Sequence, residues 1–218
     1  MKKLLAMVLA LVMTLSLAVS ANAFKDDTKI SDDYAEAVAV LNGMGVFKGY
    51  EDGSFQPKGN ITRAEVSAIV YRVYTQDVKD AKASMYATYN KFSDMAGAGW
   101  AAGYIGYCAN AEFVKGYPDG SLALDGTLTR AQALVMLTRA FGGFAVPVGD
   151  NARMALPAGS LTNVPTWAAE ELSSVLTAGL ADGDANEAMS AEALSTLLRR
   201  AYAAKGTNLR DDYYAAVN

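Results

Sequence analysis

The 218-residue chain carries 19 basic and 23 acidic residues, a single cysteine and no histidine. The missing histidine excludes His-dependent triads and His-based metal sites. One cysteine permits no internal disulfide framework, so stability must come from packing. The acidic balance, with no basic face, argues against nucleic acid or anionic lipid as a partner.

Lys2 and Lys3, the apolar run Leu4 to Val19 and the Ala21-Asn22-Ala23 cleavage pattern read as a signal peptide spanning 1–23. The rival is an uncleaved anchor of about 20 residues, against which the cleavage pattern and the lack of a stop-transfer sequence argue. Cleavage leaves 195 of the 218 residues, losing two lysines and no acids, for a net charge of −6. No membrane role is expected after that cleavage. Cys108, between Tyr107 and Ala109, reads as a small buried hydrophobe rather than a reactive thiol.

A repeat organises the rest of the chain. Gly49-Tyr50-Glu51-Asp52-Gly53-Ser54-Phe55 recurs 67 residues later as Gly116-Tyr117-Pro118-Asp119-Gly120-Ser121-Leu122. Thr62-Arg63-Ala64 recurs as Thr129-Arg130-Ala131, and Phe24-Lys25-Asp26 matches Phe92-Ser93-Asp94. A third, eroded copy keeps Trp167 and Gly183, shortens its loop, and resumes at Met189-Ser190-Ala191-Glu192-Ala193.

Each copy is expected to open on a helix. Tyr34, Val38, Leu41 and Gly45 share one face, as do Trp100, Tyr104, Cys108 and Ala111, and Trp167, Glu171 or Leu172, Val175 and Gly179. Gly103 and Gly106 each weaken the second of these helices by roughly 1 kcal/mol against Ala, unless close contact with another segment needs them small. Asp52-Gly53 and Asp119-Gly120 mark tight turns, with too few oxygen ligands for a calcium loop.

The closing helix of each copy is announced by an apolar stripe: Val66, Ile69, Val70, Val73; Ala133, Met136, Leu137, Ala140; Leu194, Leu197, Leu198, Ala201. An aromatic trails each stripe (Tyr74, Phe141, Tyr202), and one polar position is kept as Arg72, Arg139 and Arg200. One such unit is too small to bury its stripe, so three must share a core. Residues 75–91 and 142–160 read as linkers, the second rich in Gly and Pro, and the chain after 205 as a loosely held tail.

The capping boxes Thr62-x-x-Glu65 and Thr129-x-x-Gln132 explain their own Thr and Glu or Gln, but not the arginine inside them. A cation in the first turn opposes the helix dipole at a cost of about 0.3–1 kcal/mol. A guanidinium beside free helix N–H groups, however, makes a bidentate seat for a carboxylate. Arg63 and Arg130 are therefore candidate sites for a carboxylate-bearing ligand, against the plainer reading of solvated or ion-paired side chains. In the third copy Ala191 replaces the arginine and removes that site.

These elements together resemble the S-layer homology family: Phe24-x-Asp26 and Phe92-x-Asp94, the helix-opening Tyr34, Trp100 and Trp167, the Gly-Tyr-x-Asp-Gly-Ser loops, and Ile61-Thr-Arg-Ala-Glu65 with Leu128-Thr-Arg-Ala-Gln132. The resemblance implies an all-α fold of three helix-loop-helix repeats (24–85, 86–145 and a degenerate 146–205, then a 206–218 tail) in a pseudo-threefold arrangement about a central three-helix bundle formed by the opening helices. It implies non-covalent attachment to the bacterial cell wall through a secondary cell wall polymer, often carrying pyruvylated sugars, or a peptidoglycan-linked glycan, held in grooves between repeats.

On that basis the ligand-binding set is Arg63, Arg130, Thr62, Thr129, Tyr50, Tyr117, Asp26, Asp94 and Trp100, with no catalytic residue, metal or cofactor. The location implied is secreted, at the cell wall or S-layer. Gln132 for Glu, Leu122 for Phe and the truncated third loop depart from the family pattern and put the third groove in doubt. An alternative, suggested by the lack of a large cargo domain in the sequence, is a structural or self-associating envelope component. A small glycan hydrolase using Asp26, Asp94 or Glu65 is a third, although no carboxylate pair is specified by spacing.

Overall fold

The computed structural model describes residues 24–206 apart from 90 and 158; the expected signal peptide and residues 207–218 of the expected tail lie outside the described residues. Among these residues the protein is mainly helical, with helices α1 (Asp32–Gly43), α2 (Arg63–Thr75), α3 (Ala102–Asn110), α4 (Arg130–Phe141), α5 (Ser173–Ala178) and α6 (Ala191–Ala204). Its strands β1 (Leu161–Thr162) and β2 (Gly183–Asp184) form one two-residue parallel pair, a small addition to the all-α expectation. No described helix is long and apolar enough to cross a membrane.

The closing helices α2, α4 and α6 form as the pattern predicts. All twelve stripe residues are buried. Thr62 and Thr129 accept from the N–H of Glu65 and Gln132, whose side chains return the bond to the Thr N–H. Ser190 caps α6 in one direction only, because Ala193 stands where the returning side chain would be.

Burial differs between the helices of a copy. Ten of the thirteen residues of α2 are buried, against three of the twelve of α1. In the second copy the two are alike, with five of nine residues of α3 buried and seven of twelve of α4, whereas in the first the closing helix is the more buried of the pair. The reason is in the stripes: α2 adds Ala64, Ser67, Ala68 and Tyr71 to its predicted face, so it can be covered on nearly all sides.

The opening helices depart from expectation at their starts. Gly99–Ala101 and Thr166–Ala168 are 3-10 turns, which shift the helical phase. Ala101, Ile105 and Cys108 become the buried face, and Trp100 and Trp167 stand out at 63% and 57% exposure. Gly103 and Gly106 are needed for approach. A Cβ there would lie 2.3 Å from the Ala83 carbonyl oxygen and 2.1 Å from that of Tyr86, so the linker turn Ala83–Tyr86 lies directly on α3.

The copies contact one another in cyclic order: α2 packs on α3, α4 on α5, and α6 returns to α1. Three backbone hydrogen bonds trace the same cycle. Ile61 N–H donates to Met189 (2.9 Å), Met189 to Leu128 (2.8 Å), and Leu128 back to Ile61 (3.0 Å). The first residues of each closing helix then bond to the loop of the next copy: Arg63 and Ala64 N–H to the Gly126 and Leu124 carbonyls, Arg130 and Ala131 to Glu187 and Ala185, Ala191 and Glu192 to Gly59 and Pro57. Main-chain groups are thereby satisfied where three irregular segments meet, which is what burial of such segments requires.

Candidate functional site: three junctions between repeats

Each junction sets the start of one closing helix against the loop of the next repeat. At the first, Arg63 reaches across from α2. Its Nε donates to the Leu122 carbonyl (2.6 Å), its Nη2 to that of Lys115 (2.8 Å), and its guanidinium lies over the Tyr117 ring, 4.9 Å from the centroid. It is only 6% exposed, and burial pulls its pKa down. Gln132 Nε2 donates to the Tyr117 hydroxyl (3.0 Å), so the second capping box holds the ring that Arg63 covers.

At the second junction Arg130 Nε donates to the Asp184 carbonyl (3.3 Å), and Nη2 lies 3.5 Å from the Glu187 carboxylate. Asp184 thus offers Arg130 the carbonyl that Leu122 offers Arg63. The third junction has no arginine. Glu192, 4% exposed, accepts from Ser31 N–H (3.1 Å) and Ser31 Oγ (3.4 Å) and pairs with Lys58.

The remaining expected residues divide by place. Tyr50 donates its hydroxyl to Glu65 (2.7 Å), and burial, followed by this bond, pushes its pKa up. Asp26 and Asp94 clamp loops. Asp26 accepts from Phe55 N–H (2.7 Å) and Gln56 N–H (2.9 Å), Asp94 from the N–H groups of Leu122 (2.9 Å), Ala123 (2.8 Å) and Leu124 (3.3 Å). Burial alone would raise the Asp94 carboxyl, but these donors outweigh it and hold the pKa below its ordinary value. Asp26, Asp94 and Glu65 thus serve loop and cap geometry.

Asp52 and Asp119 accept from Ser54 and Ser121 N–H (2.9 Å each), with Gly53 and Gly120 at φ of +80° and +82° completing the turns. Among the described residues no group of three or more acids or cysteines is placed to hold a metal. Cys108 is buried, its Sγ donating to the Ser67 carbonyl (3.3 Å), and burial drives its pKa up. Such a thiol is inert.

Trp100 stands apart. Its neighbour Tyr104 meets Arg72, near the C-terminal end of α2, whereas Arg63 begins that helix; thirteen residues put the two ends about 18 Å apart. The structure brings Arg63 and Tyr117 together and leaves Trp100 elsewhere. The kept arginines Arg72 and Arg139 are ion-paired, to Asp80 and Glu171. Sequence reasoning missed Glu192, Lys58, Ser31 and Glu187. Glu192 had a signal: it stands where the other copies have Ala64 and Ala131.

A tandem-repeat protein whose copies meet at side-chain-lined junctions is the class these observations define. Residues 23–67 and 91–134, in the first two copies, match the S-layer homology domain. It is 32% identical over 145 residues to a surface layer protein of Brevibacillus choshinensis, and 31% over 147 to the middle cell wall protein of Brevibacillus brevis. It is also 38% identical over 85 residues to a cellulosome-anchoring protein of Acetivibrio thermocellus. These alignments cover 65%, 65% and 39% of the chain and only 13%, 14% and 18% of the relatives' lengths. The chain is a protein of the bacterial cell surface, the location these relatives share by name.

Proposed function

We propose that the chain is a non-catalytic module that attaches to the cell wall by binding a secondary cell wall polymer, with an acidic, pyruvylated sugar as the recognised unit, in grooves between repeats. The observation that carries this reading is Arg63, buried between two repeats and laid over Tyr117, a pairing of cation and aromatic suited to a sugar bearing a carboxylate. The match of its first two copies to the S-layer homology domain and its likeness to a cellulosome-anchoring protein support wall binding. In this reading Arg63 and Arg130, at helix starts capped by Thr62 and Thr129, face the ligand. Tyr50 and Tyr117 flank it, and Asp26 and Asp94 shape the loops around it.

The same reading takes residues 24–85, 86–145 and 146–205 as three units in a pseudo-threefold arrangement. The cyclic helix packing and the Ile61–Met189–Leu128 hydrogen-bond cycle support it.

Retention on isolated walls, before and after extraction of the secondary polymer, tests the function. We expect retention on intact walls, loss on extracted walls, and weakening by Arg63→Ala that deepens when Arg130→Ala is added. Equal binding to extracted walls would make peptidoglycan itself the ligand, and undiminished retention of the double variant would rule out the arginines.

A further inference from the structure

Six arginines have described side chains, and five of them carry a carboxylate partner: Arg72 with Asp80, Arg130 with Glu187, Arg139 with Glu171, Arg199 with Glu36 and Arg200 with Asp182. Arg63 is the sixth. It is the most buried of the arginines that face a junction, yet its hydrogen-bond partners are two neutral carbonyls and its ring neighbour is a tyrosine. Asp94 acts on it through space, but both Asp94 oxygens are already taken by loop N–H groups. A buried cation without a counter-ion is costly. Two neighbouring positions that elsewhere hold an acid are neutral here: Gly126, which accepts from Arg63 N–H as Glu187 does from Arg130 N–H, and Gln132 where the first copy has Glu65.

The other two junctions supply their own anion. Glu187 sits on Arg130, so a ligand carboxylate there must displace it. At the third, Glu192 occupies the helix start itself, buried and held by Ser31 and Lys58.

We infer that the three junctions are graded by internal carboxylates, and that the chain has one high-affinity site, between its first and second repeats, where a single carboxylate-bearing sugar supplies the counter-ion missing from Arg63. Glu192 is the specificity-determining residue that withholds the third junction, and Glu187, loosely paired, weakens the second. This inference rests on the anchoring function proposed above and narrows it from two arginine sites to one.

The probe is the methyl glycoside of a hexose carrying a 4,6-pyruvate ketal, titrated calorimetrically into the chain from residue 24 onward, with the ketal-free glycoside as control. We expect one site per chain, binding of the ketal sugar only, and a loss of about tenfold to hundredfold on Arg63→Gln, the range for a hydrogen bond to a charged group. Arg130→Gln should cost no more than about threefold, roughly half a tenfold step in free energy.

Because Arg63→Gln alters a buried group, Tyr117→Glu is the second variant. It places a carboxylate beside Arg63 at an exposed position, and should abolish binding while the thermal transition is kept. Glu187→Gln should open a second, weaker site. Two equal sites in the unaltered chain, or full affinity in a folded Tyr117→Glu, would overturn the inference. Wall retention of the same variants separates the two ideas: retention lost equally through Arg63 and Arg130 sinks the single site alone. A chain that neither holds walls nor takes the ketal sugar sinks both, and one that takes the sugar at a single Arg63-dependent site without holding walls sinks only the anchoring function.

Discussion

The first and third junctions share a backbone and differ in chemistry. In both, two successive N–H groups at a helix start donate to carbonyls of the next loop, at 3.2 and 3.1 Å in the first and 3.0 and 3.1 Å in the third. Yet the first presents a buried cation with no acid of its own, and the third a buried carboxylate locked to Lys58 and Ser31. Main-chain hydrogen bonds constrain only the path of the chain, so side chains at a fixed path are free to diverge. The repeat is therefore preserved as architecture while the charge at its junctions diverges.

The largest effects should come from breaking what the junctions share. Ile61, Leu128 and Met189, all buried, sit at corresponding points of the hydrogen-bond cycle. Truncation of each to Ala is expected to cost about 2–5 kcal/mol, the usual range for buried aliphatic and Met side chains. Chemical denaturation would measure it. Were Met189→Ala nearly neutral while the other two were severe, the third copy would be an appendage rather than an equal member of the cycle.

A smaller loss separates the third junction from the others. Glu192→Ala leaves the Ser31 N–H and the Lys58 ammonium without their acceptor, so we expect about 1–3 kcal/mol of destabilisation. The same change frees the Lys58 ammonium and the Ser31 N–H at that helix start, so a weak second site for the ketal sugar should appear there. A folded Glu192→Ala chain that gained no site would show that Glu192 is not what withholds the third junction.

How much of this was legible in the sequence depends on chain distance. The closing helices were, because Val66, Ile69, Val70 and Val73 and the Thr62 box lie within a dozen residues of one another. The opening helices were legible except in phase: the 3-10 turn at Gly99–Ala101 rotated Trp100 out of the face assigned to it. The glycines of α3 could be flagged as small for a reason, but the reason, the carbonyls of Ala83 and Tyr86, sits in a linker with no periodic signal. Arg63 was singled out because it violates the helix dipole. That it lacks a counter-ion, while Arg130 has one, depends on partners 50 to 60 residues away, which no local pattern encodes. Glu192 was passed over because an acid near a helix start needs no special explanation.

The loop clamp gives a pH test of the first junction. Asp94 is held below its ordinary pKa by three loop N–H donors, so it contributes stability above the unfolded-chain value of about 3.9 and loses it as pH falls through its lower folded value. Asp94→Asn should cost about 1–3 kcal/mol at pH 7. The gap from the unaltered chain should narrow progressively below pH about 4. A gap that stayed constant into strong acid would mean that the clamp does not depend on charge.

Glu187→Gln should change stability least. The carboxylate is largely exposed, and at 3.5 Å from Arg130 its pairing is loose, so the cost should fall within the roughly 0–1 kcal/mol of surface pairs. The backbone bond from Arg130 N–H to the Glu187 carbonyl is untouched by the change, so the helix start keeps its place. Thermal melts of the two chains should nearly superimpose. That near-silence is what makes the variant informative, because any second site that calorimetry finds in it then reflects the removed charge and not a loosened fold. A drop of several kcal/mol would instead make Glu187 part of the framework, and the grading of the junctions would rest on Glu192 alone.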